Sequence, residues 1–522
     1  MPRGTTLDTD LCIIGAGAAG ITLARELSGS PFRVTILESG GFEYEVGTQA
    51  LYEGRSIGLP YSDLSAPRLR YFGGTTNHWG GICRPFEDAD FEAREGIRFS
   101  GWPIKKSDVD PYYERAVHAV RLPSDAWELA DWAPSGEVAP LRLGSGRIVS
   151  RVAQVVERGL RSFGDGYREE VRRAPNVTVY LHANAIGVEA DEAGRTATSV
   201  EVATLTGNRF SVRARVFVLA TGAIENARLL LVSNRQAPDG LGNGNDLVGR
   251  FFLEHPRFIG GFLAPFDPHP NLGFYENHRV GGALVRGYLA SSKEVQLAEG
   301  LLDLQIRLEP SYGEAPQDPS DFARHVMTLA RDVEGWQRIA IPGAPVPIPY
   351  LDVIRQAIES PEDTYIRLRG RIEAIGLSTR IEQAPNPDSR VLLVAERDQL
   401  GMRRVALDWR LSDVDRRNVR RALELLGAEI GAAGIGRVRI LHDDESGWPD
   451  DLNGGQHHMG TTRMSDDPKQ GVVDRHCRVH GMSNLFVAGS SVFPTPSGAT
   501  PTLMLVALAI RLADRLKETV VR

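Results

Sequence analysis

The chain has 522 residues, 42% of them hydrophobic and 24% charged, with a formal net charge of −7. That length exceeds one ordinary domain and is enough for two lobes sharing an interface. The acidic balance argues against a nucleic-acid partner, and Cys12, Cys83 and Cys477 lack C-x-x-C spacing, which argues against a disulfide framework or a metal site of the zinc type.

In chain order, residues 1–10 are polar and lead straight into the apolar run 11–14. No signal peptide is expected, and the cytoplasm is the expected location. The apolar run has the character of a buried parallel strand. Gly15, Gly17 and Gly20 then form G-x-G-x-x-G, with Ala18 and Ala19 opening a helical stretch to residue 27. Such glycines allow a tight turn, close approach of the backbone to a pyrophosphate, and close helix–strand packing. The helix N-terminus adds free N–H groups and partial positive charge. A second apolar run, 34–37, ends in Glu38 with Ser39 beside it. That acid stands eighteen residues after Gly20, where a ribose-binding carboxylate belongs. Strand, glycines, helix, strand and acid in order predict a dinucleotide cradle. The cradle alone does not separate FAD from NAD.

The loop Gly73-Gly74-Thr75-Thr76-Asn77-His78-Trp79-Gly80-Gly81 is glycine-rich at both ends, so its backbone can press against a ligand. Two later runs, 216–219 and 484–487, are strand-like and end in small-residue turns, the first at Ala220-Thr221-Gly222 and the second at Gly489-Ser490. Each puts a strand's carboxyl end where a ligand can lie. The nucleotide-binding domain is therefore expected to be discontinuous: 1–94, 191–259 and 451–522. Residues 95–190 and 260–450 are assigned to a second, substrate-side domain. Its helix starting after Ser412 has a capping pattern with Asp415 three residues on. The stretch 311–350, broken by Pro342, Pro345, Pro347 and Pro349, reads as a lid, a subunit contact or a surface excursion. The last apolar run, 503–510, is far short of the ~20 residues of a membrane helix.

Near the C-terminus stands His457-His458-Met459-Gly460-Thr461-Thr462-Arg463-Met464. A neutral imidazole suits the removal of a hydroxyl proton near neutral pH. Adjacent side chains on extended chain point opposite ways, so one ring is expected to face the reaction. Glu382 and Gln383, before Pro385, are read either as entering the substrate pocket or as a strand-edge surface pair.

These motifs, together with Ala220-Thr221-Gly222-Ala223-Ile224-Glu225-Asn226-Ala227-Arg228, Val248-Gly249-Arg250 and Glu254-His255-Pro256, resemble the glucose–methanol–choline (GMC) oxidoreductases over nearly the whole chain. The nearest likeness is to bacterial sugar dehydrogenases and pyranose-oxidase-like enzymes. The resemblance implies an α/β protein: a Rossmann-type FAD-binding domain plus an α+β substrate domain with a mostly antiparallel sheet. It selects FAD over NAD and implies oxidation of a CH–OH group of a sugar, glycoside or polyol, with hydride passing to flavin N5. An aryl or aliphatic alcohol, or a flavin-containing lyase of the same fold, stands as the alternative. His457 maps to the family's base, with His458 beside the substrate. Thr500, before Pro501 and Thr502, takes the place of the usual His or Asn. Glu38 maps to the adenosine ribose, and the 73–81 loop lies along the flavin. His78 there is read as a polar contact, ahead of a covalent flavin link. Gly489 stands where relatives carry Asp, which passes that contact to Ser490 or to backbone N–H. The electron acceptor stays open among oxygen, a quinone and a redox protein, with dehydrogenase ahead of oxidase. A homo-oligomer also stays open.

Overall fold

The computed structural model describes residues 4–132, 138–312, 372–442 and 447–520. The proline-rich excursion read over 311–350 lies outside them from residue 313 onward.

The first sheet is built on β1 (Thr6–Ile14), whose last four residues are almost fully buried. It pairs in parallel with β2 (Val34–Leu37) and β9 (Arg209–Leu219). Beyond β2 lies β6 (Val177–Tyr180), also parallel. The long strand β9 divides its other edge: its start pairs with antiparallel β8 (Ala197–Ala203), and its end with parallel β18 (Leu485–Val487). β7 (Asn184–Ala190) closes that side. Register fixes the geometry of everything that follows. Ile14 sits opposite both Leu37 and Leu219, and Leu219 opposite Val487. The turns after β1, β2, β9 and β18 therefore leave one carboxyl edge side by side, where ligands of open α/β sheets bind.

The second sheet is antiparallel and runs β17 (Gly436–Ile440), β10 (Arg257–Pro265), β14 (Ile372–Ile381), β13 (Leu304–Tyr312), β12 (Ala283–Ser291), β5 (Ile148–Val155) and β4 (Ile82–Cys83), with β11 (Asn277–Val280) on β12. A small third sheet joins β15 (Arg390–Arg397), β16 (Arg403–Asp408) and β3 (Gly54–Ser56). The helix Asp413–Ala432 starts in the capping box read from Ser412 and Asp415. One continuous apolar cluster joins Leu11 and Val218 of the first sheet to Leu263 and Leu377 of the second. Among the described residues, no helix is long and apolar enough to cross a membrane.

The expected domain boundaries need correcting. β6 and β7, read as part of the substrate domain through residue 190, belong to the first sheet, because Val34 to Leu37 find their outer partner in Val177 to Tyr180. Conversely, Ile82 and Cys83 pair with β5 in the second sheet. Short strands of this kind carry no period that names their partner.

The helix α1 (Ala18–Glu26) starts against the first turn. A Cβ on Gly20 would lie 1.9 Å from the Gly15 carbonyl oxygen. Gly20→Ala should therefore cost stability on the ~1–3 kcal/mol scale of core overpacking, seen as a lowered melting temperature. An unchanged melting temperature would contradict this packing.

Candidate active site

A cavity of about 490 Å³ opens along the carboxyl edge of the first sheet and reaches the second. Gly15, Gly17, Ala18 and Ala19 line it after β1, and Glu38 and Ser39 after β2. Ala220, Thr221 and Gly222 line it after β9, and Gly489 and Ser490 after β18. The loop after Gly73 contributes Gly74, Thr75, Thr76, His78, Trp79 and Gly80, and the final helix contributes Pro501 and Thr502.

The glycines test what fits there. A Cβ on Gly17, Gly80, Gly222 or Gly489 would meet no protein atom within 4 Å, so these four leave backbone bare toward the cavity itself. Gly15 differs, since its Cβ would strike the Ala220 carbonyl oxygen at 2.6 Å. Bare backbone, a helix N-terminus at α1 and a second at the helix Pro501–Val520 make a cradle for an anionic dinucleotide. Glu38 is held in place by two turns: its carboxylate accepts from the N–H groups of Ala16 at 2.8 Å and Gly40 at 2.9 Å, and still has acceptor capacity to spare. Arg68 and Arg70 also line the cavity, anchored by buried Glu225; sequence reading missed both.

Three residues expected at the cofactor do not line the cavity. Gly20 packs against Gly15, as above. Gly73 (φ +99°) is shaped by the backbone of Gly164, where a Cβ would clash at 2.6 Å. Asn77 donates to the Phe72 carbonyl at 3.0 Å and accepts from Ser162 Oγ at 2.7 Å, so its amide pins the loop instead of meeting a ligand. His78 lines the cavity with its Nε2 3.3 Å from the Pro67 carbonyl, and Ser490 Oγ donates to the His458 carbonyl at 2.7 Å.

His457 and His458 both line the cavity, but their rings have separate anchors. Leu253 pairs with Met459 and Arg257 with Asn453 in antiparallel bridges. That ribbon sets His255 opposite His457, with their Nδ1 atoms 2.8 Å apart. On its other side, His255 Nε2 lies 2.6 Å from the Ser497 carbonyl. A carbonyl only accepts, so His255 Nε2 carries the proton. Burial pushes the His255 pKa down to about 3, so that ring holds one proton and its Nδ1 is a lone pair. His457 Nδ1 must then donate, which leaves His457 Nε2 as the basic nitrogen. Burial also holds the His457 pKa well below the ordinary value, helped by the charges of Arg380 and Arg257. The His457 ring is thus neutral and in a defined tautomer.

Beneath both histidines lies Glu254, fully buried. Its Oε2 accepts from the backbone N–H of His255 at 2.8 Å and of His457 at 3.0 Å. Its Oε1 takes a short hydrogen bond from Tyr61, whose hydroxyl also meets His458 Nε2 at 2.8 Å. Burial, opposed by these donors, pushes the Glu254 pKa up to about 7. The His458 ring packs 5.6 Å from Phe252.

Thr500 lines the cavity, and its hydroxyl donates to the Ile82 carbonyl. It can thus accept a hydrogen bond from a ligand hydroxyl but has no proton left to give. Gln383 is neither in the pocket nor on the surface. It is fully buried, accepting from Glu254 N and Trp409 Nε1 and donating to the Phe252 and Arg410 carbonyls. It braces the segment that carries Glu254. Glu382 is likewise fully buried, in an ion pair with Arg94.

A fold and cradle of this kind suit a bound dinucleotide. Residues 385–509 match a family model described as GMC oxidoreductase. The 6'''-hydroxyparomomycin C oxidase of Streptomyces lividus is 26% identical over 96% of this chain and 90% of its own length. The 2-methyl-1,2-propanediol dehydrogenase of Mycolicibacterium austroafricanum is 22% identical over 97% and 94%. The solved structure of pyridoxine 4-oxidase from Mesorbium loti shares the fold, with a TM-score of 0.52 at 21% identity over 97% of this chain and 98% of that one. The chain is thus similar to the GMC oxidoreductases through residues 385–509, and its cofactor is FAD.

Gly17→Val would start its side chain in open cavity, with no protein atom within 4 Å of the Cβ. The purified variant should fold with a near-normal melting temperature yet lack flavin absorbance. A yellow variant would refute this position for the pyrophosphate.

Proposed function

We propose that the chain oxidises a CH–OH group of a sugar, glycoside or polyol, with His457 as the base. When bound, FAD supplies the two-electron acceptor for the hydride at N5. The protein's own residues supply the rest. The substrate hydroxyl donates its proton to His457 Nε2, and the hydride leaves the same carbon, so the product is a carbonyl compound. Positioning and proton removal act together, because hydride departs more readily as the alkoxide develops. Thr500, limited to accepting, takes a hydrogen bond from a substrate hydroxyl, and His78 makes a polar contact with the flavin rather than a covalent bond.

The observation that carries this reading is the lone pair on His457 Nε2, set by the Ser497–His255–His457 chain. The relatives named above support the substrate class: one bears the name of an aminoglycoside oxidase and the other of a diol dehydrogenase. Anaerobic bleaching of the bound flavin by a panel of glycosides, polyols and benzylic alcohols tests it. Bleaching by a glycoside or polyol is expected, and recolouring in air then sorts oxygen from other acceptors. A flavin that dithionite reduces but no alcohol bleaches would refute the reading.

His457→Ala should slow that flavin reduction by ~10²-fold or more, with FAD retained. Reduction at the native rate would remove His457 from the role of base.

The pH dependence follows from burial. Because the charged imidazole is disfavoured, more acid is needed to protonate it, and the base stays competent below its ordinary pKa of ~6.5. The rate of flavin reduction should therefore hold steady as pH falls through ~6.5. An acid limb centred there that persists in Glu254→Gln, which removes the neighbouring acid with a pKa of about 7, would show an unperturbed histidine.

A further inference from the structure

The wall beside His457 is cationic. Arg257 and Arg380 stand directly opposite one another across the antiparallel pair β10–β14, and both line the cavity. Residues so paired share a face of the sheet with Cβ atoms about 5 Å apart, and like charges there repel. Arg307 lies one alternate position along β13 from the Gln305–Arg380 pair. Burial, then Arg257 and Arg307, push the Arg380 pKa down to about 10.

Among the described residues, Tyr288 and Asp303 offset this charge only in part, and neither forms an ion pair with Arg380. Among the described residues, no carboxylate lies within ion-pair distance of Arg257 or Arg380, and Arg307 reaches only Glu309, at 3.8 Å. Arg380 donates to Gln305 and, at 3.5 Å, to the Gly498 carbonyl. Its Nε is buried with no acceptor. Arg257 is exposed to the cavity and Arg380 half-buried beside it, and a partly desolvated guanidinium with a like charge beside it gains from an added anion. The rest of the chain leans the other way, to a net charge of −7, so the pair is not part of a generally basic surface.

We infer that the substrate carries a carboxylate, which lies against Arg257 and Arg380 while its hydroxyl meets His457. This deepens the proposed alcohol oxidation and rests on it. A planar guanidinium fork matches a carboxylate in two parallel N–H···O bonds. The carboxylate is a handle and stays chemically unchanged. Uronic acid glycosides and small hydroxy acids both present this chemistry. An amino sugar is repelled by the same wall.

The test uses the FAD-loaded enzyme and Arg257→Gln, with matched substrates: a methyl glucuronide against the glucoside and the glucosaminide, and glycerate against glycerol. The carboxylate member should reduce the flavin anaerobically with a second-order rate constant at least ~10-fold above its neutral partner. The variant should lower that ratio ~10-fold or more, as expected for losing one charge-assisted hydrogen bond. The glucuronide and glycerate arms tell the two sources apart. Preference for the neutral members would overturn the inference and leave alcohol oxidation standing. If no alcohol of either charge reduces the flavin, the oxidation reading fails and the subsite is judged on binding alone. Acetate should then shift the flavin absorption saturably, with affinity at least ~10-fold weaker in Arg257→Gln. No shift, or one indifferent to the variant, overturns the carboxylate subsite.

Discussion

The active site depends on one buried carboxylate. Glu254 accepts N–H groups from both His255 and His457 and, through Tyr61, fixes the ring of His458. Two chain segments some two hundred residues apart are thereby clamped at one point. Burial opposes the charge on Glu254, and its several donors restore part of it, which is why its pKa is pushed up only to about 7. A buried acid without those donors would be a liability. With them it becomes the fixed point from which the histidine pair is measured.

From that point the site follows by register. The ribbon between Leu253 and Arg257 on one side and Asn453 and Met459 on the other sets His255 against His457. The same ribbon runs directly into β10, which delivers Arg257 to the cavity two residues beyond His255. Backbone strain marks both ends of the histidine chain: Gln456 (φ +62°), just before the base, and Ser497 (φ +55°), whose carbonyl starts the relay, occupy the left-handed region that side chains disfavour. The proposed base, its tautomer and the placement of Arg257 thus follow from one ribbon.

The cofactor half of this arrangement is legible in the sequence because its signals are local. Gly15, Gly17 and Glu38 lie within two strands and a turn, and their spacing carries the geometry with it. The capping box of Ser412 and Asp415 is local in the same way. The catalytic half is not. His457 is visible through its motif, but the proton on its Nδ1 is dictated by Ser497 and His255, which no spacing connects to it. The dipeptide Glu254-His255 was visible as a motif without a role. Gln383 misled because a polar residue before a proline reads as surface or pocket, whereas it is buried under Glu254. Arg257 and Arg380 face each other only through strand register, and β6 joins the first sheet only because β2 needs an outer partner.

The central claim is that a backbone carbonyl fixes the catalytic tautomer through His255. The most direct measurement is the ¹⁵N spectrum of the imidazoles in histidine-labelled enzyme near neutral pH, with His255 and His457 assigned by replacing each in turn. The account predicts two neutral rings of opposite tautomer, His255 protonated on Nε2 and His457 protonated on Nδ1 only. A His457 that is an imidazolium, or that carries its proton on Nε2, would contradict it.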